Sequence, residues 1–159
     1  MKKRLLRAIN IWPPFLGAGI RVTRLDPHAI DVEMRLRRWN RNYVGTHFGG
    51  SLYSMTDPFF MLMLIDNLGP DYVVWDKAAT IRFKKPGRGK VRAEFRLSRE
   101  QVEGIRRAAA ANGKAEPIFV VQVKDEAGEV VAEVEKVIYV KRKADAALIA
   151  TPASSLPLV

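Results

Sequence analysis

The chain has 159 residues, of which 48% are hydrophobic and 28% are charged, and this balance is typical of a single globular domain with a real core. It contains no cysteine, which excludes disulfides, zinc-thiolate sites and cysteine nucleophiles. The two histidines, His28 and His47, are too few for a histidine-rich metal centre, and we expect no metal. The formal net charge of +10 favours an anionic partner, although such a charge can also serve solubility alone.

Residues 1–14 are basic and predict a short N-terminal helix that Pro13-Pro14 would end. Four apolar residues share one side of it: Leu5, Leu6, Ile9 and Ile11. We expect this side to pack on its own domain or on a partner subunit, and contact with a membrane surface is the alternative. No apolar core of a signal peptide follows, and the longest apolar run, Pro58–Ile65, is too short to cross a bilayer. We therefore expect a cytoplasmic protein with no membrane span.

Two strands are predicted next, at Gly19–Arg24 and Ala29–Arg37, because apolar and charged residues alternate clearly in the second of them. A polar loop over residues 40–45 leads into a segment that is apolar nearly all round as far as Leu68. This segment predicts a buried helix, which Gly69-Pro70 would stop.

Two starting points for the buried helix are open. The helix can begin at Gly49-Gly50, in which case Pro58 kinks it and frees the carbonyl of Ser54. It can instead begin at Pro58, with Asp57 as the N-cap residue.

The rest of the chain predicts two strands, a helix with a capping box at Ser98 and Gln101, and a β-hairpin. Their ranges are Val73–Lys84, Lys90–Leu97, Ser98–Ala111, and Pro117–Val123 paired with Glu129–Val140. We expect one α+β domain over residues 15–143, in which a curved antiparallel sheet wraps one long central helix, with four strands in antiparallel succession after that helix. Residues 144–159 predict a loosely held tail. The exposed edge of such a sheet predicts at least a dimer.

Two motifs carry a resemblance to a known family. Asn42–Gly50 reads N-x-x-G-T-x-x-G-G ahead of the buried helix, and Arg82–Gly89 reads R-F-K-K-P-G-R-G after the following strand. With this order of elements, the chain resembles the hotdog-fold superfamily, most closely the branch of phenylacetyl-CoA-type thioesterases and, within it, an uncharacterised domain family that also has the helical insertion. The resemblance implies an acyl-CoA thioesterase that works as a homodimer or dimer of dimers. Its site would lie at a subunit interface and would need no cofactor, since coenzyme A is part of the substrate.

The resemblance implies Asp57, Gly50 and Asn42 as catalytic residues. Asp57 lies eight positions after Gly49, where the resembled thioesterases carry their base or nucleophile, and the alternative is a cap or kink-stabilising role. The backbone N–H groups of Gly49 and Gly50 would hold the thioester oxyanion, unless these glycines only permit close packing. Asn42 would hold water or the carbonyl, or would only shape the turn.

The predicted substrate-binding residues are His47, Phe48, Gly49, Thr56, Arg82, Lys84, Lys85 and Arg88. The four basic residues flank a turn that lies near the coenzyme A phosphates in related enzymes, although exposed basic residues also protect a sheet edge. The resembled enzymes carry histidine immediately before the two glycines, but here Phe48 holds that place and His47 lies one residue earlier. A shift of one residue turns a side chain away from the site, so a structural role for His47 is the main alternative.

Other function classes fit less well. Ser51, Ser54 and Thr56 have no histidine at a usable spacing, which excludes a serine-hydrolase triad. The alternative to an enzyme is a non-catalytic hotdog protein that binds an acyl chain or acyl-CoA. We do not expect a nucleic-acid partner, because the chain has no recognised nucleic-acid motif and its aromatic residues do not interleave with the basic groups.

Overall fold

The computed structural model describes residues 8–143. Its elements are α1 (Pro13–Ala18), β1 (Ile20–Asp26), β2 (Ala29–Arg35), α2 (Gly49–Ser54), α3 (Phe59–Leu68), β3 (Tyr72–Phe83), β4 (Lys90–Arg96), α4 (Arg99–Asn112), β5 (Ile118–Lys124) and β6 (Val130–Arg142). The first seven residues of the expected N-terminal helix and the whole of the expected tail lie outside the described residues. Between residues 8 and 143, every helix is too short or too polar to cross a membrane.

The strands form one six-stranded antiparallel sheet in the order β1-β2-β4-β5-β6-β3. The sheet confirms the α+β class. The expected succession of four neighbouring strands is wrong, because β3 pairs with β6 and β4 pairs with β2 and β5. This places β3, the first strand after the central helical segment, at one edge of the sheet and β1 at the other.

The central helical segment is interrupted. α2 ends at Ser54 and α3 starts at Phe59, with four non-helical residues between them. Pro58 has no N–H to donate to the Ser54 carbonyl, and that carbonyl accepts instead from Asp57 N at 3.3 Å. The helical segment therefore begins at the two glycines, as one of the two predicted alternatives has it, but the proline interrupts it instead of only kinking it, and the Ser54 carbonyl is not left free.

The core lies between the helical segment and the concave face of the sheet. Phe59 and Phe60 of α3 each contact Phe95 of β4, with ring centroids 4.9 and 5.2 Å apart, and Phe60 stacks on Phe119 of β5 at 4.5 Å. Val91, Ala93 and Phe95 of β4, together with Leu97 that follows the strand, face this core and are at most 1% exposed. Burial of these side chains is the main source of stability for a domain of this size.

Further helices lie outside the central helical segment. Residues 8–10 are helical, and α1 begins at Pro13, where a proline suits the first turn because its missing N–H would have no partner there. Pro13-Pro14 therefore begins α1 as well as following the helical residues 8–10. α4 has the predicted capping box, with Gln101 N donating to Ser98 Oγ and Ser98 N donating to the Gln101 side chain.

Candidate active site

A surface groove runs between the loop before α2 and the turn after β3. We call it the basic groove. It has a volume of about 690 Å³ and is lined by Asn42, Val44, Thr46, His47, Gly49 and Leu52 on one side and by residues 83–88 on the other. The two sides are joined by a hydrogen bond from His47 N to the Gly87 carbonyl at 3.0 Å. Both resemblance motifs therefore meet at one place.

Asn42 shapes the loop on its side of the basic groove. Its Oδ1 accepts from Thr46 N at 2.9 Å, and its Nδ2 donates to Thr46 Oγ1 at 2.9 Å and to the His47 carbonyl at 3.3 Å. These bonds occupy both ends of the side-chain amide. In the structure the Asn42 side chain stabilises the loop, and its catalytic role stays a prediction.

His47 is 3% exposed, and its ring packs near Gly87. The ring Nε2 lies 3.0 Å from the Gly89 carbonyl, so it carries the proton and donates. Nδ1 is left as a buried acceptor without a partner among the described residues. Burial lowers the pKa of His47, and the ring is therefore neutral near neutral pH.

The four predicted basic side chains have three different surroundings. Lys85 forms ion pairs with Asp125 and Glu129 of the β5–β6 hairpin, which raise its pKa. Lys84 and Arg88 also line the basic groove and are exposed, and no ion pair to either forms within residues 8–143. Arg82 does not line the groove and sits on β3 opposite Glu133 of β6. The groove thus offers Lys84 and Arg88 as free cations for an anionic ligand.

The two glycines begin α2. Ser51 N and Leu52 N both donate to the Phe48 carbonyl, so the N–H groups of Gly49 and Gly50 precede the first helical hydrogen bonds. Steric room is tight at both positions. A Cβ atom on Gly49 would lie 2.9 Å from the Phe83 ring, and one on Gly50 would clash with the Phe48 ring. The steric reason for glycine therefore holds here, whether or not the N–H groups also bind a ligand.

Phe48, Gly50 and Thr56 lie apart from the basic groove. Phe48 is 57% exposed and, with Gly50, lines a different depression that includes Trp39 and part of α1. Thr56 is fully buried and its hydroxyl donates to the Tyr53 carbonyl at 2.7 Å, which closes the end of α2. The catalytic role of Gly50 and the substrate-binding roles of Phe48 and Thr56 stay predictions.

Asp57 occupies the break between α2 and α3, and its side chain is 46% exposed. It does not cap α3, because no side-chain hydrogen bond caps that helix. The capping interpretation of Asp57 is thus wrong. Its Oδ1 accepts instead from the ammonium group of Lys136, on β6, at 2.9 Å.

Lys136 is fully buried and lies between two acids. Its Nζ is 2.9 Å from Asp57 Oδ1 and 3.1 Å from Asp76 Oδ1, and it lies 5.3 Å from the centre of the Tyr53 ring. The contact with Asp76 is slightly longer than the contact with Asp57. Burial opposes the charge of Lys136, but the two carboxylates outweigh it and raise its pKa, so the side chain is a cation. Burial raises the pKa of Asp76.

Sequence reasoning missed this lysine, although a signal is present. The inward-facing positions of β6 are Ala132, Val134, Lys136, Ile138 and Val140, all of which are fully buried. A single lysine in an otherwise apolar row requires a partner, because an unpaired buried charge is very costly. The sequence could have indicated that an acid faces Lys136, but not which one.

Of the residues predicted for the site, the structure brings six to the basic groove: Asn42, His47, Gly49, Lys84, Lys85 and Arg88. Asp57 is not among the residues that line it. Within residues 8–143 no group of three or more histidines and acids is placed to hold a metal ion.

A family model described as a domain of unknown function, DUF4442, matches residues 2–140. The chain belongs to the DUF4442 family. The match covers nearly the whole chain, including both motifs, the break and Lys136. No curated protein matches the chain.

Solved structures show the fold that this DUF4442 protein shares. A Pseudomonas aeruginosa protein of unknown function, described as a probable thioesterase, is 28% identical, with a TM-score of 0.77 over 89% of this chain and 97% of its own. A Haemophilus influenzae thioesterase is 14% identical, with a TM-score of 0.66 over 89% and 92%. A mutant thioesterase of P. aeruginosa is also 14% identical, with a TM-score of 0.64 over 89% and 95%. These neighbours confirm the thioesterase-like hotdog fold.

Proposed function

We propose that the protein hydrolyses acyl-CoA thioesters and that Asp57 directs the water that attacks the thioester carbonyl. The observation that carries the proposal is the environment of the Asp57 carboxylate. It is about half exposed, caps no helix, and is held by a buried cation at the break in the central helical segment. The thioesterase-like neighbours support the reaction class.

In the proposed reaction, the Asp57 carboxylate accepts a proton from water while the water oxygen bonds to the carbonyl carbon. The carbonyl oxygen becomes an oxyanion, for which the N–H groups of Gly49 and Gly50 are the proposed donors. One such donor contributes roughly 3–4 kcal/mol in comparable hydrolases. The carbon–sulfur bond then breaks, coenzyme A leaves as the thiol after taking the proton back from Asp57, and the free acid is released.

The basic groove suits the coenzyme A part of the substrate. Lys84 and Arg88 are exposed cations that would attract its phosphates. Gly49 lies in the same groove, so a thioester attached to the bound coenzyme A could approach the start of α2.

The proposed site needs two subunits, because Asp57 does not line the basic groove of its own chain. β3 is a 12-residue strand at the sheet edge, and its middle residues Ala78, Ala79 and Thr80 are exposed. Such an edge pairs readily with a second copy. We propose a homodimer, alone or as half of a dimer of dimers, in which Asp57 of one subunit faces the basic groove of the other.

A non-catalytic acyl-CoA binder is the second candidate. The observation in its favour is His47, which is buried and bonded to the Gly89 carbonyl, so that no histidine is exposed in the groove. A binder would use the same basic groove without need of Asp57.

Acyl-CoA hydrolysis can be measured with a thiol reagent, and the cysteine-free chain adds no background signal. Acetyl-, hexanoyl-, palmitoyl- and phenylacetyl-CoA would each be tested with wild type, Asp57→Asn and the control Asp66→Asn. We expect turnover of at least one substrate, a loss of about hundredfold or more in kcat for Asp57→Asn, and little change for Asp66→Asn. Equal background turnover by wild type and Asp57→Asn, with acyl-CoA binding intact by calorimetry, would favour the non-catalytic binder.

A further inference from the structure

The buried lysine of β6 has no explanation in packing alone. An apolar side chain would fill an inward position of β6 without the desolvation cost of a charge, and such replacements of buried ion pairs are often neutral or stabilising. The chain instead holds Lys136, with no exposed surface, against two carboxylates. The buried charge of Lys136 therefore indicates a role beyond packing, which is to bind a carboxylate.

The shorter of the two carboxylate contacts of Lys136 is the one with Asp57. The break between α2 and α3 gives Asp57 no cap interaction, and Lys136 Nζ donates to its Oδ1 at 2.9 Å. The lysine lies on β6, which is paired with β5 on one side and β3 on the other, so it provides a rigid anchor for a carboxylate on an irregular segment. Nearly half of the Asp57 side chain stays exposed, which leaves the carboxylate within reach of water.

Asp76 is the second carboxylate against Lys136. It lies on β3 beside the bulge between Asp76 and Ala78, and its Oδ1 is 3.1 Å from the ammonium nitrogen. Lys136 is therefore shared between two acids, at 2.9 Å from Asp57 and 3.1 Å from Asp76. The Tyr53 ring of α2 is the remaining titratable group against the ammonium.

We propose that Lys136 is a positioning residue, which fixes the orientation of the Asp57 carboxylate at the helix break through an ion pair that Asp76 shares. The inference rests on the proposed function in so far as Asp57 is the residue that acts on the substrate. Lys136 itself does not touch the substrate, since it is fully buried.

The consequences of losing the cation follow from electrostatics. In Lys136→Met, Asp76 loses the cation that lowers its pKa and still lies near a second carboxylate, so Asp76 retains its proton to higher pH. The Asp57 side chain also loses its anchor, and a displacement of about 1 Å can cost about a hundredfold in rate. We expect kcat to fall by about tenfold to hundredfold with KM within about twofold of wild type, and the acid limb of the pH–rate profile to move to higher pH.

Two further variants separate positioning from folding. Lys141→Met, on the same strand but only half-buried, is the matched control and should leave kcat and the pH profile unchanged. Lys136→Cys can be alkylated with bromoethylamine in denaturant and refolded, which restores a lysine analogue at one position because the chain has no other cysteine. We expect the alkylated protein to regain most of the kcat that Lys136→Cys loses.

A measurement without substrate keeps this inference distinct from the proposed function. Carboxyl ¹³C NMR of the apo-protein reports the proton uptake of Asp76, whose Oδ1 lies 3.1 Å from Lys136 Nζ. We expect its midpoint to rise by at least about one pH unit in Lys136→Met and to return in the alkylated Lys136→Cys protein. An unchanged midpoint, or unchanged kcat in an active Lys136→Met enzyme, would overturn the positioning role. Absence of acyl-CoA hydrolysis in wild type, with the midpoint shifted as expected, would overturn only the proposed function.

Discussion

Burial sets the chemistry of single residues in this protein. His47 and Lys136 are both buried, yet they respond in opposite ways because their partners differ. The Gly89 carbonyl only accepts a hydrogen bond from His47, so burial dominates and the ring is neutral. Lys136 faces two carboxylates, which keep it charged despite its burial.

The state of His47 predicts a pH dependence of stability. Its folded pKa lies below the ordinary value of 6.5, so below that pH the unfolded chain binds more protons than the folded one. The free energy of unfolding should therefore fall as the pH drops from about 7 to about 5.5. Urea unfolding of His47→Gln, whose amide can still donate to the Gly89 carbonyl, should show a weaker dependence.

The other histidine is the control for that measurement. His28→Gln should still lose stability as the pH falls, since it leaves the His47 ring and its bond to the Gly89 carbonyl unchanged. If His47→Gln and wild type lose stability equally between these pH values, the buried neutral state of His47 is contradicted.

The residues of the candidate site were predictable to different degrees. Asp57 and the Asn42–Gly50 loop could be found from local motifs, because their spacing along the chain is short. The partner of Asp57 could not, since Lys136 is 79 positions away and the pairing depends on how β6 lies under the helix break. The interpretation of Asp57 as a helix N-cap residue followed from its neighbour Pro58, but in the structure Asp57 pairs with the distant Lys136 instead.

At the scale of helices and strands, local signals predicted the elements well. The capping box of α4, the hairpin between β5 and β6, and the stop of α3 at Gly69 all depend on neighbouring residues. The pairing of β3 with β6 does not, because its paired residues are 49 to 70 positions apart in the sequence and leave no local signature. The predicted succession of strands failed for that reason.

The cap of α4 gives an energetic test at this scale. Ser98→Ala removes the acceptor for Gln101 N and should lower the free energy of unfolding by about 1 kcal/mol. Ser98→Asn should stay close to wild type, because asparagine is an equally good N-cap residue. A Ser98→Ala protein as stable as wild type in urea would show that α4 is held by its packing against the core alone.

At the scale of the whole molecule, the proposed site requires a second copy of the chain. One subunit presents the basic groove at one end of α2 and Asp57 beyond the other end, and the two do not share a cavity. The long edge strand β3 provides a surface by which two sheets could join. The fold class predicted such an edge, but only the structure shows that the two halves of the candidate site are separate in one chain.

Complementation between two inactive variants tests this claim most directly. One variant is Asp57→Asn, and the other carries Lys84→Glu with Arg88→Glu, which reverses the free charges of the basic groove. Each alone should hydrolyse acyl-CoA poorly at low substrate concentration. Refolded together in equal amounts, they should regain about a quarter of the wild-type activity, because half of the dimers are mixed and each mixed dimer has one intact site. A mixture that stays as inactive as its two components, although mixed dimers form, would contradict a site shared between subunits.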